Sequence, residues 1–286
     1  MTRLHARIAP WQLPAPRSRE VALPTAGGLV VAGGLSSAHV STSTVWTLFP
    51  DDGRLKGRGS LAVPVHDATG LVLNHVPYVI AGGNTTTVGD VQEIRNAGAA
   101  RVVSHLPQPR SDLSADTVGG GGYVLGGFDG STSLSPILRT GDGRRFSTFA
   151  HLRITVRYAA VAATASPKGD QLLIFGGEHN GVPITEVQDV NMSTGRTRIV
   201  GQLPEPLAHE AAFVLGDTVW LAGGRSNNRL QSRIWRWDDS RHRIVAAGRL
   251  PYAVADAGVA VDGSTAYIVG GETPEPTARV TVLSLQ

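Results

Sequence analysis

The chain has 286 residues, 26 basic and 23 acidic side chains, a formal net charge of +3 and no cysteine. The missing cysteines exclude disulfides, thiolate metal sites and cysteine catalysis. The arginines are interleaved with acids along the whole chain, which disfavours nucleic-acid binding, and no apolar stretch reaches the ~18 residues of a membrane span. With 41 % hydrophobic and 17 % charged residues, the composition is that of a folded globular protein.

The N-terminal residues MTRLHARIAPWQ carry charge but lack the apolar segment of a signal peptide. The absence of cysteine slightly favours an extracytoplasmic location. These two observations point in different directions, so the sequence does not assign a cellular compartment.

Six apolar runs recur along the chain, and each ends in a pair of glycines. The pairs are Gly33-Gly34, Gly82-Gly83, Gly126-Gly127, Gly176-Gly177, Gly223-Gly224 and Gly270-Gly271. Their second glycines are 49, 44, 50, 47 and 47 residues apart. A period of this size indicates a repeat architecture, and we expect the glycines to be structural, allowing a positive φ and close approach of neighbouring backbones.

Each repeat has the pattern of four short strands separated by turn residues. The first strand follows a leucine, often Leu-Pro, and the second ends in Gly-Gly. The third alternates apolar and polar residues, as in SRIWRWD (232–238), and the fourth begins with arginine and an apolar residue. The chain shows no convincing amphipathic helix, so the pattern predicts an all-β protein.

Six such units in one chain predict a single six-bladed β-propeller over 1–286, with four antiparallel strands in each blade. The expected blades span 13–60, 61–105, 106–151, 152–202, 203–249 and 250–286 together with 1–12. The last unit lacks its fourth strand, whose signature is found in Arg7-Ile8. We therefore expect the N-terminal strand to complete the C-terminal blade and close the ring.

The apolar run with Gly-Gly, the openings LPAPR at 13 and LPQPR at 106, and the period near 47–50 resemble the kelch repeat. The resemblance covers essentially the whole chain. Trp46, Trp235 and Trp237 fall in third strands, whereas the family usually has its tryptophan in the fourth, so the repeats are similar to the divergent bacterial type. The resemblance implies that partners or ligands bind on the face formed by the inter-blade turns and the Gly-Gly loops.

Carried over onto this sequence, the family's inter-blade arginines correspond to Arg17, Arg110 and Arg157. The other three units have Val65, Leu207 and Val254 at the matching place. The arginine ring that the resemblance implies is therefore incomplete.

Acidic residues recur six or seven positions after the leading leucine of five units. They are Glu20, Asp67, Asp112, Glu210 and Asp256, with Tyr158 in the fourth unit and with His66 and His209 directly before two of the acids. Pseudo-symmetry places these groups at one mouth of the central channel. Three interpretations stay open: fastening of neighbouring blades, a ligand or cation site, and acid/base catalysis.

The predicted function is a non-catalytic, monomeric module that recognises a protein or a glycan on the Gly-Gly loop face. The alternative is a carbohydrate-active enzyme similar to the bacterial kelch mutarotases of sialic acid, with Glu210 and Asp112 as the acid/base pair and Arg157 for the sugar carboxylate. A purely oligomerising unit is a third interpretation. We expect no cofactor and no metal, since no metal-binding loop is complete in the sequence.

Overall fold

The structure is a computed structural model that describes residues 3–96, 98–164 and 169–286. The strands of the first half are β1 (Leu4–Arg17), β2 (Val21–Thr25), β3 (Gly28–Ala32), β4 (Thr44–Phe49), β5 (Arg54–Ser60), β6 (Thr69–Leu73), β7 (Val76–Gly83), β8 (Thr87–Glu93), β9 (Arg101–His105), β10 (Ser111–Val118), β11 (Gly121–Phe128), β12 (Pro136–Thr140) and β13 (Ser147–His151). Those of the second half are β14 (Ala160–Thr164), β15 (Gln171–Phe175), β16 (Glu178–His179), β17 (Val182–Pro183), β18 (Glu186–Asn191), β19 (Thr197–Gln202), β20 (Ala211–Leu215), β21 (Thr218–Ala222), β22 (Arg225–Ser226), β23 (Arg229–Leu230), β24 (Arg233–Asp238), β25 (Arg243–Arg249), β26 (Gly258–Asp262), β27 (Thr265–Val269) and β28 (Thr277–Leu285).

These strands form six antiparallel sheets of four strands, which are the six blades of a β-propeller. Blades 1 to 5 are, in order, β2-β3-β4-β5, β6-β7-β8-β9, β10-β11-β12-β13, β14-β15-β18-β19 and β20-β21-β24-β25, and blade 6 is β26-β27-β28-β1. The predicted fold class is confirmed. Two small hairpins, β16-β17 and β22-β23, follow the second strands of blades 4 and 5. The described residues include no helix of the length and apolarity that crossing a membrane requires.

The N-terminal strand closes the ring as predicted. β1 is the outer strand of blade 6 and pairs antiparallel with β28, with Leu4 opposite Leu285 and Ile8 opposite Thr281. Of the segment 1–12 that the sequence assigned to this blade, residues 1 and 2 lie outside the described ranges. Backbone hydrogen bonds between the first and last strands therefore hold the propeller together.

An apolar cluster lies at each of the six junctions between neighbouring blades. At the junction of blades 4 and 5, Phe175 of β15 meets Trp237 of β24 edge to face, with ring centroids 5.9 Å apart. Such packing contributes beyond the buried area alone. Apolar packing therefore joins each blade to its neighbours, and contacts between blades do not depend on charged groups alone.

The Gly-Gly pairs join each blade to the next through the backbone. The N–H of Gly127 donates to the carbonyl of Val156 at 2.9 Å, and its neighbour Gly126 has φ +64. A Cβ on Gly126 would lie 2.6 Å from the same carbonyl oxygen, closer than real Cβ atoms approach. Glycine is therefore required here for both the backbone conformation and the close approach.

The second repeat is shifted by one residue relative to the others. Its bond to the next blade is made by Gly82, whose N–H donates to the carbonyl of Arg110 at 2.9 Å. Ala81, with φ 59, takes the place of the first glycine. Ala81-Gly82 therefore corresponds to the Gly-Gly pair of the other repeats, and Gly83 is the residue that follows the pair.

Candidate functional site at the mouth of the central channel

One residue from each blade, at the start of its inner strand, contributes to a closed backbone ring around the channel. We call these six the ring residues: Arg19, Asp67, Asp112, Tyr158, His209 and Asp256. The N–H of each donates to the carbonyl oxygen of the preceding member at 2.7 to 3.2 Å, and Arg19 closes the cycle by donating to Asp256. The six side chains are thereby held at one end of the channel.

All six ring residues have a left-handed backbone, with φ between 49 and 61°. This conformation costs a residue other than glycine about 1–2 kcal/mol. Strained residues gathered in one place are typical of functional sites, where the side chain is needed. The ring therefore points to a role for its side chains that the backbone bonds alone do not explain.

The ring contains three carboxylates, whereas the sequence pattern grouped five acids. Arg19 and His209 occupy the ring positions of blades 1 and 5, and Glu20 and Glu210 follow them. All six ring residues stand six positions after the leading leucine of their unit, so a constant spacing identifies them. The glutamates, at seven positions, directly precede the inner strands β2 and β20.

The carried-over arginines also divide into two groups. Arg17 and Arg110 stand two residues before their ring residues, but Arg157 stands directly before Tyr158. The true counterpart of Arg17 in the fourth unit is Val156. The three arginines are therefore not equivalent.

Arg17 and Arg110 are buried beneath the face. Arg110 is 1 % exposed and donates to the carbonyls of Gly126 at 3.1 Å and Pro136 at 3.2 Å, and burial lowers its pKa to about 10. Arg17 is 4 % exposed and donates to Thr44 Oγ1 at 3.0 Å. These contacts make both arginines structural, and they do not present their guanidinium groups to a ligand.

Four further side chains lie against the ring. They are Arg157 and the three residues that directly follow a Gly-Gly pair, Glu178, Arg225 and Glu272. The sequence pattern did not single out the latter three, although their shared place after Gly-Gly is a usable signal. We call the ring residues and these four the mouth cluster.

One half of the mouth cluster extends across blades 5, 6, 1 and 2. Arg19 lies 2.8 Å from Asp67 and 3.0 Å from Glu272. Arg225 pairs with Glu272 and lies 3.3 Å from Asp256. Arg19 and Arg225 therefore both contact the carboxylate of Glu272, and both lie within 4.0 Å of the carboxylate of Asp256.

The other half joins blades 3, 4, 5 and 6. Arg157 lies 2.9 Å from Glu178 and 3.6 Å from Asp112. The ring of His209 lies between two carboxylates, with Nδ1 2.5 Å from Asp256 Oδ1 and Nε2 3.6 Å from Glu178 Oε1. Burial lowers the pKa of His209, but the hydrogen bonds to Asp256 and Glu178 outweigh it and raise the pKa to about 9. His209 is therefore a cation at neutral pH.

Blades 2 and 3 are the acidic side of the ring. Burial raises the pKa of Asp67 to about 7, Arg19 opposes the shift, and the charge of Asp112 adds to it. His66 bonds Ser41 Oγ through Nδ1 at 2.8 Å, and its Nε2 is 3.7 Å from Asp67. Burial and the charge of Arg19 lower the pKa of His66. Asp67 can therefore exchange a proton near neutral pH.

The cluster presents hydrogen-bond donors to solvent. The side chains of Arg19, Arg157 and Arg225 are 21, 28 and 25 % exposed, whereas those of their carboxylate partners are at most 15 % exposed. Tyr158 stacks on His209 with ring centroids 4.0 Å apart. Its ring also contacts the guanidinium groups of Arg19 and Arg157, at 5.9 and 5.2 Å. The three guanidinium groups are therefore more exposed than their carboxylate partners, whereas the His209 side chain, at 8 % exposure, is buried against Tyr158.

Within the described residues, no group of three or more histidine, aspartate or glutamate side chains is arranged to hold a metal ion. The carboxylates at the mouth are instead engaged by arginine and histidine.

Comparison with known proteins supports the class of fold. No protein-family model matches the chain, and no curated protein matches it by sequence. The solved structure of YjhT is similar with a TM-score of 0.78 over 96 % of this chain and 99 % of that chain, at 16 % sequence identity. At this identity the similarity shows the fold, a six-bladed β-propeller.

Proposed function

We propose that this protein is a divergent kelch-type propeller that binds a glycan carrying a carboxylate group at the mouth cluster. The observation that carries the proposal is the exposure of three arginines above buried carboxylates. Guanidinium groups recognise carboxylates through paired N–H donors, and their planar fork favours this geometry over a lysine. We also propose that the protein is bacterial, because its divergent repeats are similar to the bacterial type.

The surroundings of the arginines suit the rest of a sugar. Tyr158 is half-buried, stacks on the buried imidazole of His209 and contacts Arg19 and Arg157, so its aromatic ring lies beside the guanidinium groups. The neighbouring loops EHNGVPIT and RSNNRLQS supply side chains that can bond hydroxyl groups. A few convergent polar groups beside an aromatic surface are typical of small-molecule sites.

Fastening of the blades is the simpler role for the same ion pairs. It accounts for Arg19 with Asp67, which joins blades 1 and 2. It does not account for the placement of the arginines on the solvent side, nor for six strained ring residues where apolar packing already joins the blades. A protein ligand on the same face stays the alternative partner, since acidic peptide side chains offer the same carboxylate.

A thermal-shift panel tests the proposal. The panel holds N-acetylneuraminic acid, glucuronic acid, glucose and galactose, and it is run on the wild type, Arg157→Gln and Arg153→Gln. Arg153 is an exposed arginine of the same inter-blade segment as Arg157, makes no ion pair or hydrogen bond with the mouth cluster in the described chain, and serves as the matched control. We expect the acids to raise the Tm of the wild type and of Arg153→Gln, but not of Arg157→Gln, because binding to the folded state stabilises it. Equal shifts in all three proteins, or no shift with any acid, would overturn the proposal.

A second candidate function is acid/base catalysis on a reducing sugar acid, as in a mutarotase. Two observations favour it: His209 lies between two carboxylates, and the pKa of Asp67 is raised to about 7 by burial. Opening of a sugar ring needs one proton donor and one acceptor, and groups that titrate near neutrality serve best. The sequence analysis named Glu210 and Asp112 for this pair; Glu210 is buried directly after the ring residue His209, and we now assign the pair to Asp67 and His209.

Exchange between the anomers of a sugar acid, followed by NMR saturation transfer, tests this candidate. We expect Asp67→Asn and His209→Gln to slow enzyme-dependent exchange at least 100-fold, and Arg153→Gln to leave it unchanged. Exchange that is no faster than in buffer, with binding intact, would leave the protein as a binding module alone.

A further inference from the structure

A serine, a histidine and an aspartate meet at the junction of blades 1 and 2. Oγ of Ser41, from the loop that follows the first Gly-Gly pair, lies 2.8 Å from Nδ1 of His66. Nε2 of the same imidazole lies 3.7 Å from Oδ2 of Asp67, the ring residue of blade 2. The imidazole therefore lies between a hydroxyl group and a carboxylate, which is the arrangement in which a histidine takes a proton from a nucleophilic serine.

The surroundings of His66 favour a neutral imidazole with its proton on Nε2. Burial and the charge of Arg19 lower the pKa of His66, so the ring is neutral at pH 8. The carboxylate of Asp67 attracts the ring proton to Nε2, which leaves Nδ1 as the acceptor for the hydroxyl of Ser41. The side chain of His66 is 22 % exposed and Ser41 is half-buried, so a small substrate can approach both.

Gly83 provides the space in which the imidazole lies. In every repeat the residue before the ring residue pairs through the backbone with the residue after the glycine pair, and in blade 2 these are His66 and Gly83. A Cβ on Gly83 would lie 3.1 Å from both Cε1 and Nε2 of His66, so any side chain here would push the imidazole aside. The other five repeats have a larger residue at this place: Leu35, Phe128, Glu178, Arg225 and Glu272.

The backbone at Ser41 offers a donor for a developing oxyanion. Leu35 and Ser41 face each other across a β-bridge, whose bonds run from Ser36 N–H to Val40 O at 3.1 Å and from Thr42 N–H to Gly34 O at 2.9 Å. The N–H of Ser41 itself donates to no acceptor within the described residues. A nucleophile's own N–H is one of the donors that stabilise the tetrahedral intermediate of acyl transfer.

Two other pairs of hydroxyl and imidazole in the described chain lack this arrangement. Nδ1 of His179 lies 3.2 Å from Oγ1 and 2.8 Å from the carbonyl oxygen of Thr155. Because the carbonyl only accepts, this Nδ1 carries the proton and cannot take one from the hydroxyl. Oγ of Ser135 lies 3.1 Å from Nδ1 of His151, but no carboxylate of the described residues forms an ion pair with His151. Only His66 has a hydroxyl on one nitrogen and a carboxylate facing the other, among these three pairs.

We propose that Ser41 is a nucleophile that accepts the acyl group of a small carboxylic ester and passes it to water, with His66 as the base and Asp67 as the residue that positions the imidazole. Oγ of Ser41 bonds to the ester carbonyl carbon while Nδ1 of His66 takes the hydroxyl proton. The bond to the alkoxide then breaks, and His66 gives it this proton. Water, activated by His66 in turn, releases the carboxylic acid and restores the serine.

Labelling with diisopropyl fluorophosphate at pH 8, followed by peptide mass spectrometry, tests the proposal, because this reagent phosphorylates activated serines with loss of fluoride. The proteins are the wild type, Ser41→Ala, His66→Gln and Ser135→Ala. Ser135 is the matched control, since it bonds a histidine that lacks the carboxylate. We expect one label, on Ser41, in the wild type and in Ser135→Ala, none in Ser41→Ala, and at least 100-fold slower labelling in His66→Gln. Hydrolysis of p-nitrophenyl acetate should follow the same order.

An unlabelled Ser41 in the wild type would overturn the proposal, and so would equal labelling rates in the wild type and His66→Gln, which would leave the pair as a hydrogen bond between blades. Neither result involves a carboxylate ligand, so the test is separate from that of the proposed function.

A second measurement needs no variant of Ser41. Imidazole ¹⁵N NMR of the wild type at pH 8 should show His66 neutral with its proton on Nε2, and Asp67→Ala should lower both the share of this tautomer and the labelling rate. A proton on Nδ1 in the wild type would contradict the proposal, because Ser41 would then accept a hydrogen bond instead of giving up its proton. An unchanged tautomer and rate in Asp67→Ala would overturn the role assigned to Asp67.

Discussion

The imidazole Nδ1 of His209 lies 2.5 Å from Oδ1 of Asp256, and the two residues are neighbours in the ring from blades 5 and 6. The side chain of Asp256 is 3 % exposed. Such a buried carboxylate needs compensation, and His209 provides it together with the arginines beside it. His209 and Asp256 are therefore joined by a charged side-chain contact as well as by the backbone hydrogen bond of the ring.

Loss of His209 should destabilise the fold. We expect His209→Gln to lower the free energy of unfolding by about 3 kcal/mol, the low end for breaking a buried pair, because Arg225 still contacts Asp256. Urea unfolding measures the change. The double variant with Asp256→Asn should cost less than the sum of the single changes, and simple additivity would show that the two groups do not interact.

Stability should fall as the pH rises from 6 to 9. Burial raises the pKa of Glu20 and Glu210 from 4.5 to about 8, so the folded protein binds more protons than the unfolded chain between these values. The stability that this protonation gives is complete below about pH 4.5 and is lost as the pH rises through 8. His209 contributes in the same direction between pH 6.5 and about 9.

We expect a Tm lower at pH 9 than at pH 6 by on the order of 10 °C, which corresponds to a few kcal/mol in a protein of this size. Differential scanning calorimetry across this range measures it. The double variant Glu20→Gln, Glu210→Gln should show a flatter profile. A Tm that rises toward pH 9 in the wild type would contradict the burial of these groups.

Alanine at a Gly-Gly position should be costlier than alanine at another left-handed glycine. Gly126 has φ +64 and faces the carbonyl of Val156, whereas Gly120 of the same blade has φ +75 and nothing within 4 Å of a Cβ. Both substitutions incur about 1–2 kcal/mol for the left-handed backbone. We expect Gly126→Ala to lower stability by a further 2 kcal/mol or so, through the clash and the loss of close approach between blades. Equal losses in chemical denaturation would show that the contact between blades is not decisive.

Removal of residues 1–12 should open the ring. The deletion takes away most of β1, including the pairs from Leu4–Leu285 to Ile8–Thr281. With net contributions of about 1 kcal/mol for each hydrogen bond, the loss should reach ~5 kcal/mol before the lost packing of Leu4 is added. Circular dichroism and limited proteolysis follow the result. A truncated chain as stable as the full one would show that the closure does not hold the propeller together.

The repeats were visible in the sequence because they are governed by local chemistry. Gly-Gly marks the place where a left-handed backbone meets the neighbouring blade, and the period follows from four strands and their turns. The closure by β1 could be predicted because the pattern of the last unit lacks one strand. Each of these inferences needs only residue types and spacing.

The residues that form the mouth cluster could be predicted only in part from the sequence. Grouping the acids six or seven positions after the leading leucine placed Glu20 among the ring residues, whereas a constant spacing of six selects Arg19, whose backbone is left-handed. The acids that complete the mouth, Glu178 of β16 and Glu272, follow the second strands of blades 4 and 6 and meet ring residues of other blades only through the fold. Arg110 has the residue type of a ligand-binding group, yet its burial removes it from the face.

The measurement that tests the central claim most directly is calorimetric binding of N-acetylneuraminic acid and of its methyl ester to the wild type and to Arg157→Gln. The ester keeps every hydroxyl group and removes only the negative charge. Recognition of the carboxylate by the exposed arginines predicts that the acid binds the wild type at least 10-fold more tightly than the ester does, and that Arg157→Gln removes this difference. Equal affinity of acid and ester for the wild type, or a preference that persists in Arg157→Gln, would contradict the claim that the mouth cluster is built to bind a carboxylate.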